Sequence, residues 1–311
     1  MTEQLTLSIY EQSEAELYQR AINQPLAAKV ERAVGLLRMW EAKALRMSPA
    51  GYYVAFSGGK DSCVIKELAK MAGVRFTAHY NQTTIDPPEL IAYLRQQHPD
   101  VQWEWQNKTR RGFFEMVARW GLPTARGRWC CKLFKEGGGK GRLRVVGVRA
   151  EESARRKRLW KEVQTKLDGE FVAPIVYWTD ADVWQFIRSR GVPYCKLYDE
   201  GIDRLGCIGC PMQTLRKMDA QFARFPKYEA AYRAAAYRFY ARRKQRIADG
   251  TYQGNIAAAN MFATPEEYWL HWRMQVSRQP KQQQCVYSQM VEQMGGVTAD
   301  ENTELENMEV L

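Results

Sequence analysis

YYVAFSGGKDSCVIKELAKMAG (residues 52–73) decides how the rest of the chain is read. An apolar run ends abruptly in Ser57-Gly58-Gly59-Lys60-Asp61-Ser62, and helical periodicity follows at once. A strand that turns directly into a helix aims unpaired backbone N–H groups and the positive end of the helix dipole at one point, which suits an anion. Gly58 and Gly59 permit positive φ and close backbone approach. Lys60 adds a point charge, Ser57 and Ser62 add hydroxyl donors, and Asp61 can hold a metal such as magnesium or orient a ligand. This is not a Walker A loop, which needs Ser or Thr after its lysine where Asp61 stands here. EGGGKGR (136–142) fails the same test, because Lys140 precedes a glycine. An ordinary strand-to-helix turn needs none of these six residues, so a phosphate-binding turn is the preferred reading.

Outward from the turn, strand and helix signals alternate. Tyr53–Phe56 reads as a buried strand and Ser62–Met71 as a helix. Arg75–Tyr80 is a second strand, Pro87–Gln97 a helix opened by Asp86-Pro87-Pro88, and Val101–Trp105 a third strand. Gly112–Trp120 is helical, Arg144–Val148 is another strand, and Asp180–Arg190 is a helix capped by Thr179 or Asp180. This alternation predicts an α/β fold, a parallel sheet flanked by helices in the Rossmann-like manner, with helical N- and C-terminal extensions. Val30, Ala33, Leu37, Trp40 and Ala44 recur at helical spacing, so residues 1–50 read as a helical N-terminal extension. The expected organisation is completed by a nucleotide-binding domain over 51–212, a basic helical region over 213–298 and an acidic tail over 299–311.

The chain has 311 residues, enough for one large domain or two modest ones, and a formal charge of +11. A basic balance favours polyanionic partners over acidic ones. No apolar run reaches a membrane span, and MTEQLTLSIYEQSEAELYQR lacks a signal peptide's basic start and apolar core, so a cytoplasmic protein without membrane attachment is expected. Seven cysteines in such a compartment are expected to stay reduced.

Their spacing carries more than their number. Cys130 and Cys131 are adjacent in RGRWCCKLFKEGG, and Cys207 and Cys210 form C-x-x-C in RLGCIGCPM. Four thiolates can hold zinc or a [4Fe–4S] cluster. Adjacent side chains diverge and suit one tetrahedral zinc poorly, whereas a cluster offers different iron atoms to different thiolates. Iron–sulfur therefore stands ahead of zinc, with core cysteines or an isolated redox dithiol as alternatives. Cys63 reads as a packing residue, Cys195 in VPYCKLYDEG can approach the site, and Cys285 in KQQQCVYSQM reads as an ordinary helix or loop residue. His79, His98 and His271 read as structural.

SGGKDS after an apolar strand resembles the PP-loop of the N-type ATP pyrophosphatase superfamily, whose members grip the pyrophosphate of ATP and cleave between the α and β phosphates. A Cys-Cys pair, some 75 residues and then Cys-x-x-Cys is similar to the cluster pattern of assimilatory adenylyl-sulfate reductases. GVRAEESARR (147–156) and PIVYWTDADVWQFIRSRGVPYCKLYDEGIDRLGCIGCP (174–211) resemble segments of the phosphoadenosine phosphosulfate (PAPS) reductase family. The resemblance covers roughly residues 50–212. It implies an adenine nucleotide alpha hydrolase-like fold, ATP or another adenine nucleotide on Ser57, Gly58, Gly59, Lys60, Asp61 and Ser62, and a [4Fe–4S] cluster on Cys130, Cys131, Cys207 and Cys210. It also places Arg149, Ser153, Arg155 and Arg156 toward the nucleotide or its leaving anion, and Lys132 near the cluster, with Lys60, Asp61 and Arg149 as the catalytic set. Sulfonucleotide reductases carry a mobile C-terminal cysteine in a Glu-Cys-Gly-Leu-His context, and this chain has no such motif.

Beyond Pro211, arginines alternate with tyrosines and alanines, and residues 204–246 hold eleven Lys or Arg against two acids. YEAAYRAAAYRFYARRKQRIADG reads as a helix with Tyr228, Tyr232 and Ala235 or Ala236 on one face, and Arg233, Arg238, Arg242 and Lys244 exposed. Such a pattern serves either nucleic-acid binding or a solvated amphipathic helix. The first functional reading is an iron–sulfur enzyme that adenylates a substrate, releasing pyrophosphate, for sulfur or electron transfer. The family's likeness to tRNA thiolation and DNA phosphorothioation enzymes implies a tRNA or DNA substrate and a sulfur or electron donor protein. The alternatives are an adenylyl-sulfate or PAPS reductase releasing sulfite, and a non-catalytic nucleic-acid-binding module that keeps the nucleotide site.

Overall fold

The computed structural model describes residues 16, 18–167 and 169–277. In chain order its elements are α1 (Leu26–Met47), β1 (Tyr52–Ala55), α2 (Lys60–Ala72), β2 (Phe76–Asn81), α3 (Pro88–Gln97), β3 (Gln102–Glu104), α4 (Phe113–Trp120) and α5 (Trp129–Phe134). There follow β4 (Arg144–Val145), α6 (Ala154–Leu159), β5 (Val163–Leu167), β6 (Gly169–Val172), α7 (Asp180–Arg190), α8 (Leu215–Arg224), α9 (Pro226–Ala248), α10 (Ile256–Ala259) and α11 (Pro265–Ser277). The chain forms two compact units whose segments alternate along the sequence. The first takes residues up to Gln82, Pro88–Glu104 and Gly137–Leu205; the second takes Thr83–Pro87, Trp105–Glu136 and Gly206 onward. Cys285 and the acidic tail 299–311 lie outside the described residues. Among the described residues no helix is long and apolar enough to cross a membrane.

The first unit is an α/β fold. Its sheet runs β3-β2-β1-β4-β6-β5, with every neighbouring pair parallel except β5 and β6. The sequence predicts a parallel sheet; the β5 edge is antiparallel because β5 and β6 are neighbours in the chain and pair as a hairpin, with no room for a crossover. β1 is central, and Tyr52, Tyr53 and Val54 are all buried, as a strand covered on both faces requires. α2 buries Cys63, Val64, Ile65, Leu68 and Ala69 and ends on Gly73, whose φ of 68° is the left-handed cap that glycine adopts cheaply. α1 packs on α2 and β1 through Ala33, Leu37 and Ala44, and the Tyr52 hydroxyl donates to the Leu37 carbonyl at 2.6 Å. The second glycine run explains itself here. Gly139, at φ 70°, lies against the Tyr53 ring, and a Cβ there would come within 2.6 Å of the ring, so EGGGKGR is a cover for β1.

The second unit is helical. α4 packs along α9, where Ala235 and Ala236 let the helices approach and Tyr232 is wholly buried. Phe113 stacks on Trp129, and Tyr232 stacks on Trp272, whose indole N–H donates to the Pro123 carbonyl at 2.7 Å. The Tyr232 hydroxyl donates to the Ile208 carbonyl at 2.7 Å, which satisfies an otherwise costly buried phenol. The aromatic face expected of α9 is thus core, as are Tyr240 and Arg243, while Arg233, Arg238 and Arg242 are exposed.

In the first unit a buried polar chain runs beneath the glycine turn. The Lys66 ammonium donates to Asp100 at 2.7 Å and to His98 Nδ1 at 3.1 Å; His98 Nε2 lies 2.8 Å from the Tyr93 hydroxyl, which donates to the Pro193 carbonyl at 2.7 Å. An ammonium facing Nδ1 fixes His98 as the neutral Nε2–H tautomer. Burial first, then the Lys66 charge, pushes His98 down to about 4. The unfolded histidine takes its proton near 6.5. Stability from this group is therefore complete above pH 6.5 and is lost as pH falls toward about 4. We expect a loss on the order of 3 kcal/mol across that window, read by urea unfolding at several pH values and absent from a His98→Asn variant. A wild-type profile no steeper than the variant's would show that His98 titrates normally.

Candidate functional site

The sheet order reverses between β1 and β4, whose chain continuations diverge to opposite sides and leave a crevice at the carboxyl edge. The 57–62 turn leaves β1 at that point, and the segment after β4 carries Gly147 and Arg149. Gly58 has φ 75°, and a Cβ there would meet Leu90 at 2.7 Å and Leu94 at 2.9 Å, so both backbone and α3 demand glycine. Gly59 has ordinary φ and only van der Waals neighbours for a Cβ; its value is an open backbone at the N-cap of α2. The Ser62 hydroxyl donates to the Gly59 carbonyl at 2.7 Å, and Ser57 Oγ lies 3.4 Å from Ser62 Oγ and from the Gly59 N–H, so both hydroxyls brace the turn. Gly147 lets the second segment pass: a Cβ there would lie 3.0 Å from the Asp61 carbonyl.

Charge is concentrated around this turn. The Arg149 guanidinium, 4 % exposed, donates through Nε to Asp61 at 2.6 Å, through Nη1 to Glu151 at 2.6 Å and through Nη2 to Asp180 at 2.9 Å. Burial would lower its pKa, but the carboxylates, Asp61 first, raise it instead. Lys60 is also buried, 3.2 Å from Asp180 and 3.9 Å from Asp61, and its backbone N–H donates to the Tyr198 hydroxyl at 2.9 Å. Burial raises the Tyr198 pKa, which keeps that phenol neutral. Arg156 pairs with Glu152, and its pKa is lowered by burial and then by the Arg204 and Arg149 charges. The Arg149 and Arg204 guanidiniums thus lie within electrostatic reach of Arg156, with Arg149 already paired to carboxylates at the α2 N-terminus.

Of the residues singled out in the sequence, the structure gathers Ser57 through Ser62, Arg149 and Arg156. Ser153 caps α6 by accepting the Arg156 N–H at 3.2 Å. Arg155 is exposed on α6, and among the described residues no bond ties it to the turn. Sequence reasoning missed Glu151, Asp180, Tyr198 and Arg204 as members of the site. One signal was present: in a parallel α/β sheet helix N-termini gather at the carboxyl edge, and Asp180 is the first residue of α7.

The four motif cysteines lie in the second unit as half-buried thiols outside any disulfide. Cys130 donates to Cys131, which pulls Cys131 down to about 6, aided by the Lys135 and Arg128 charges. Cys130 moves up through that bond, burial and the charges of Cys131, Cys207 and Cys210, so the other three thiols lie within electrostatic reach of Cys130. Burial pushes Cys207 up to about 12 against the Lys135 ammonium that bonds it. Gly209, at φ 69°, shapes the C-x-x-C loop against Phe222 and Tyr232, each 2.9 Å from a Cβ placed there. A soft-donor set flanked by cations fits a thiolate-bound metal centre in its chemistry. Among the described residues, no three His, Cys, Asp or Glu side chains are arranged to hold a metal ion. Lys132 is exposed on α5.

Residues 51–213 match the family model of the phosphoadenosine phosphosulfate reductase domain. An uncharacterised protein of Methanocaldococcus jannaschii is 32 % identical over 191 residues, 56 % of this chain and 39 % of that protein. An adenosine 5'-phosphosulfate reductase of Oceanobacillus iheyensis is 30 % identical over 82 residues, 26 % of this chain and 34 % of its own length. The chain thus spans well under half of the relatives it matches. A phosphoadenylyl-sulfate reductase from Candida auris, solved with phosphate, superposes with a TM-score of 0.43 at 16 % identity, covering 62 % of this chain and 93 % of that one.

The turn itself is open to test. Gly58→Ala is expected to lose at least about 2 kcal/mol of stability by thermal melting, since it meets both left-handed strain and an overpacked α3. Gly59→Ala should melt within about 1 kcal/mol of wild type. Equal effects at the two positions would contradict the geometry of the turn.

Proposed function

The chain belongs to the phosphoadenosine phosphosulfate reductase domain family, and we propose that it binds ATP or another adenine nucleotide on the 57–62 turn and adenylates a substrate. The observation that carries this reading is the glycine turn at the sheet's switch point with Lys60 and Arg149 buried beside it. The backbone of Gly58 and Gly59 and the α2 N-terminus would hold the pyrophosphate, with Lys60 and Arg156 countering its charge. Attack by the acceptor on the α-phosphorus breaks its bond to the bridging oxygen, and the electron pair leaves with pyrophosphate. These groups favour that step because charge grows on the leaving pyrophosphate. Asp61 is the carboxylate at hand for a magnesium ion carried by the phosphates, and Arg149 holds it in place. Ser153 and Arg155 would act at the rim, toward the leaving anion.

Cys130, Cys131, Cys207 and Cys210 would hold a [4Fe–4S] cluster, with zinc as the alternative occupant. A cluster, when bound, supplies electron or sulfur transfer to the adenylated substrate, with a sulfur or electron donor protein as partner. Lys135 and Arg128 offset the negative charge that four thiolates bring. The likeness to adenosine 5'-phosphosulfate reductases supports a second reading, reduction of adenylyl sulfate or PAPS with release of sulfite. A non-catalytic module that keeps the nucleotide site is the third.

Pyrophosphate release from ATP separates the first reading from the third, and sulfite release from adenylyl sulfate with a thiol donor marks the second. Lys60→Ala should weaken ATP binding at least about tenfold, since a charge-assisted contact to phosphate contributes 1.5–3 kcal/mol, roughly. Unchanged affinity would remove the turn from the site. Anaerobic metal analysis is expected to give about four irons per chain, lost in Cys207→Ser. One zinc and no iron would make the cysteines structural.

A further inference from the structure

A second basic feature lies wholly within the helical unit. Arg111, Glu115, Ala118 and Arg119, on and just before α4, face Arg238 of α9 across an open hollow of about 420 Å³. Positions 115, 118 and 119 share one helix face, and Ala118 leaves the floor free. Arg111 is set by a fixed turn. Asn107, 1 % exposed, donates through Nδ2 to the Arg111 carbonyl at 2.9 Å, while its Oδ1 accepts from the Thr109 N–H and hydroxyl. Arg110 takes φ 52° there, and Lys108 and Arg110 are exposed beside Arg111. Arg242, one turn beyond Arg238, is exposed too.

Among the described residues, three guanidiniums and one carboxylate line the hollow, and that carboxylate already accepts the Gly112 N–H at 3.1 Å at the start of α4. Other cations of α9 are committed: Arg233 to Glu266, Lys244 to Asn260, Arg246 to the Thr251 carbonyl. Arg238 and Arg242 are presented outward, as is Lys227 at the start of the helix. The α9 aromatics are turned away, with Tyr232 and Tyr240 in the core and Tyr237 bonded to Glu266. A site rich in guanidinium and lacking an aromatic platform suits phosphates and not bases. Arginines from two helices around one open hollow, with Arg110 and Arg242 exposed close by in sequence, exceed what one phosphate can satisfy and suit several of them.

We propose that the groove between α4 and α9 binds the phosphodiester backbone of a nucleic acid, without reading its sequence. The proposal does not rest on the nucleotide chemistry assigned to the glycine turn. It is tested by fluorescence anisotropy of short labelled DNA and RNA strands with the full chain, without ATP, across a salt titration. Wild type should bind with a steep salt dependence. The Arg111→Gln/Arg238→Gln double variant should bind at least about tenfold more weakly, with a salt slope lower by about two. Arg190→Gln on α7 should bind as wild type, and the double variant should keep wild-type affinity for ATP, which separates this result from any failure at the nucleotide site. Should the double variant melt early, Arg238→Gln alone should lower the slope by about one. Absence of wild-type binding, an unaltered slope in the variants, or a polyglutamate peptide competing as well as nucleic acid would each overturn the proposal, the last in favour of an acidic protein partner.

Discussion

One guanidinium joins three stretches of chain that are far apart in sequence. Arg149, following β4, bonds Asp61 on α2, Glu151 beside it and Asp180 on α7. The buried guanidinium would be expensive to leave unpaired, and the three more exposed carboxylates, Asp61 the least exposed of them, neutralise it. The carboxyl edge of the sheet is therefore a charged lattice fixed before any ligand arrives. Removing the arginine would leave Asp61, Glu151 and Asp180 around Lys60 without the cation that ties them together. Fixed dipoles and charges of this kind need little rearrangement when an anion enters.

The local half of this arrangement was legible in the sequence. A change from strand to helix periodicity across six residues marks β1, the turn and α2 without reference to the rest of the chain, and Thr179 announces α7 as its cap, accepting the Asp182 N–H. The parallel order of the central strands follows from the alternation of elements. The β5–β6 hairpin was not foreseen, because VQTKL is polar and carries weak strand signal at a sheet edge. α5 escaped notice because six residues cannot display a helical period. The far half of the site was hidden for a different reason: Tyr198 and Arg204 join it only through the return of the chain to the carboxyl edge of the sheet, which no local window contains. The basic helix was legible as a helix, but whether its tyrosines stack on a ligand or on the core is decided by α4 and α11, which pack against it.

The cysteines show the same division. C-x-x-C is a local signal, and Gly209 is the residue that lets the loop fold back on Phe222. That Cys130 and Cys131 belong with it depends on the second unit drawing its helices from both sides of a long insertion. Lys135 is the group no motif indicates; it sits four residues beyond the cysteine pair and meets Cys207 from there. A cation in that place makes the thiols easier to ionise together, whatever they hold.

The alternation of the two units along the chain has a consequence for synthesis. α4 and α5 are made early, yet Phe113 and Trp129 are covered by Tyr232 and its neighbours, more than a hundred residues later. A growing chain can complete the first unit once Leu205 has emerged, while the aromatic faces of α4 and α5 wait for α9. During that interval they are open to wrong partners, and the long-range closure they await is intrinsically slow. The helical unit is thus the vulnerable stage in the making of this protein, and a chain cut short after the C-x-x-C loop would keep its glycine turn while leaving half of a second core without its other half.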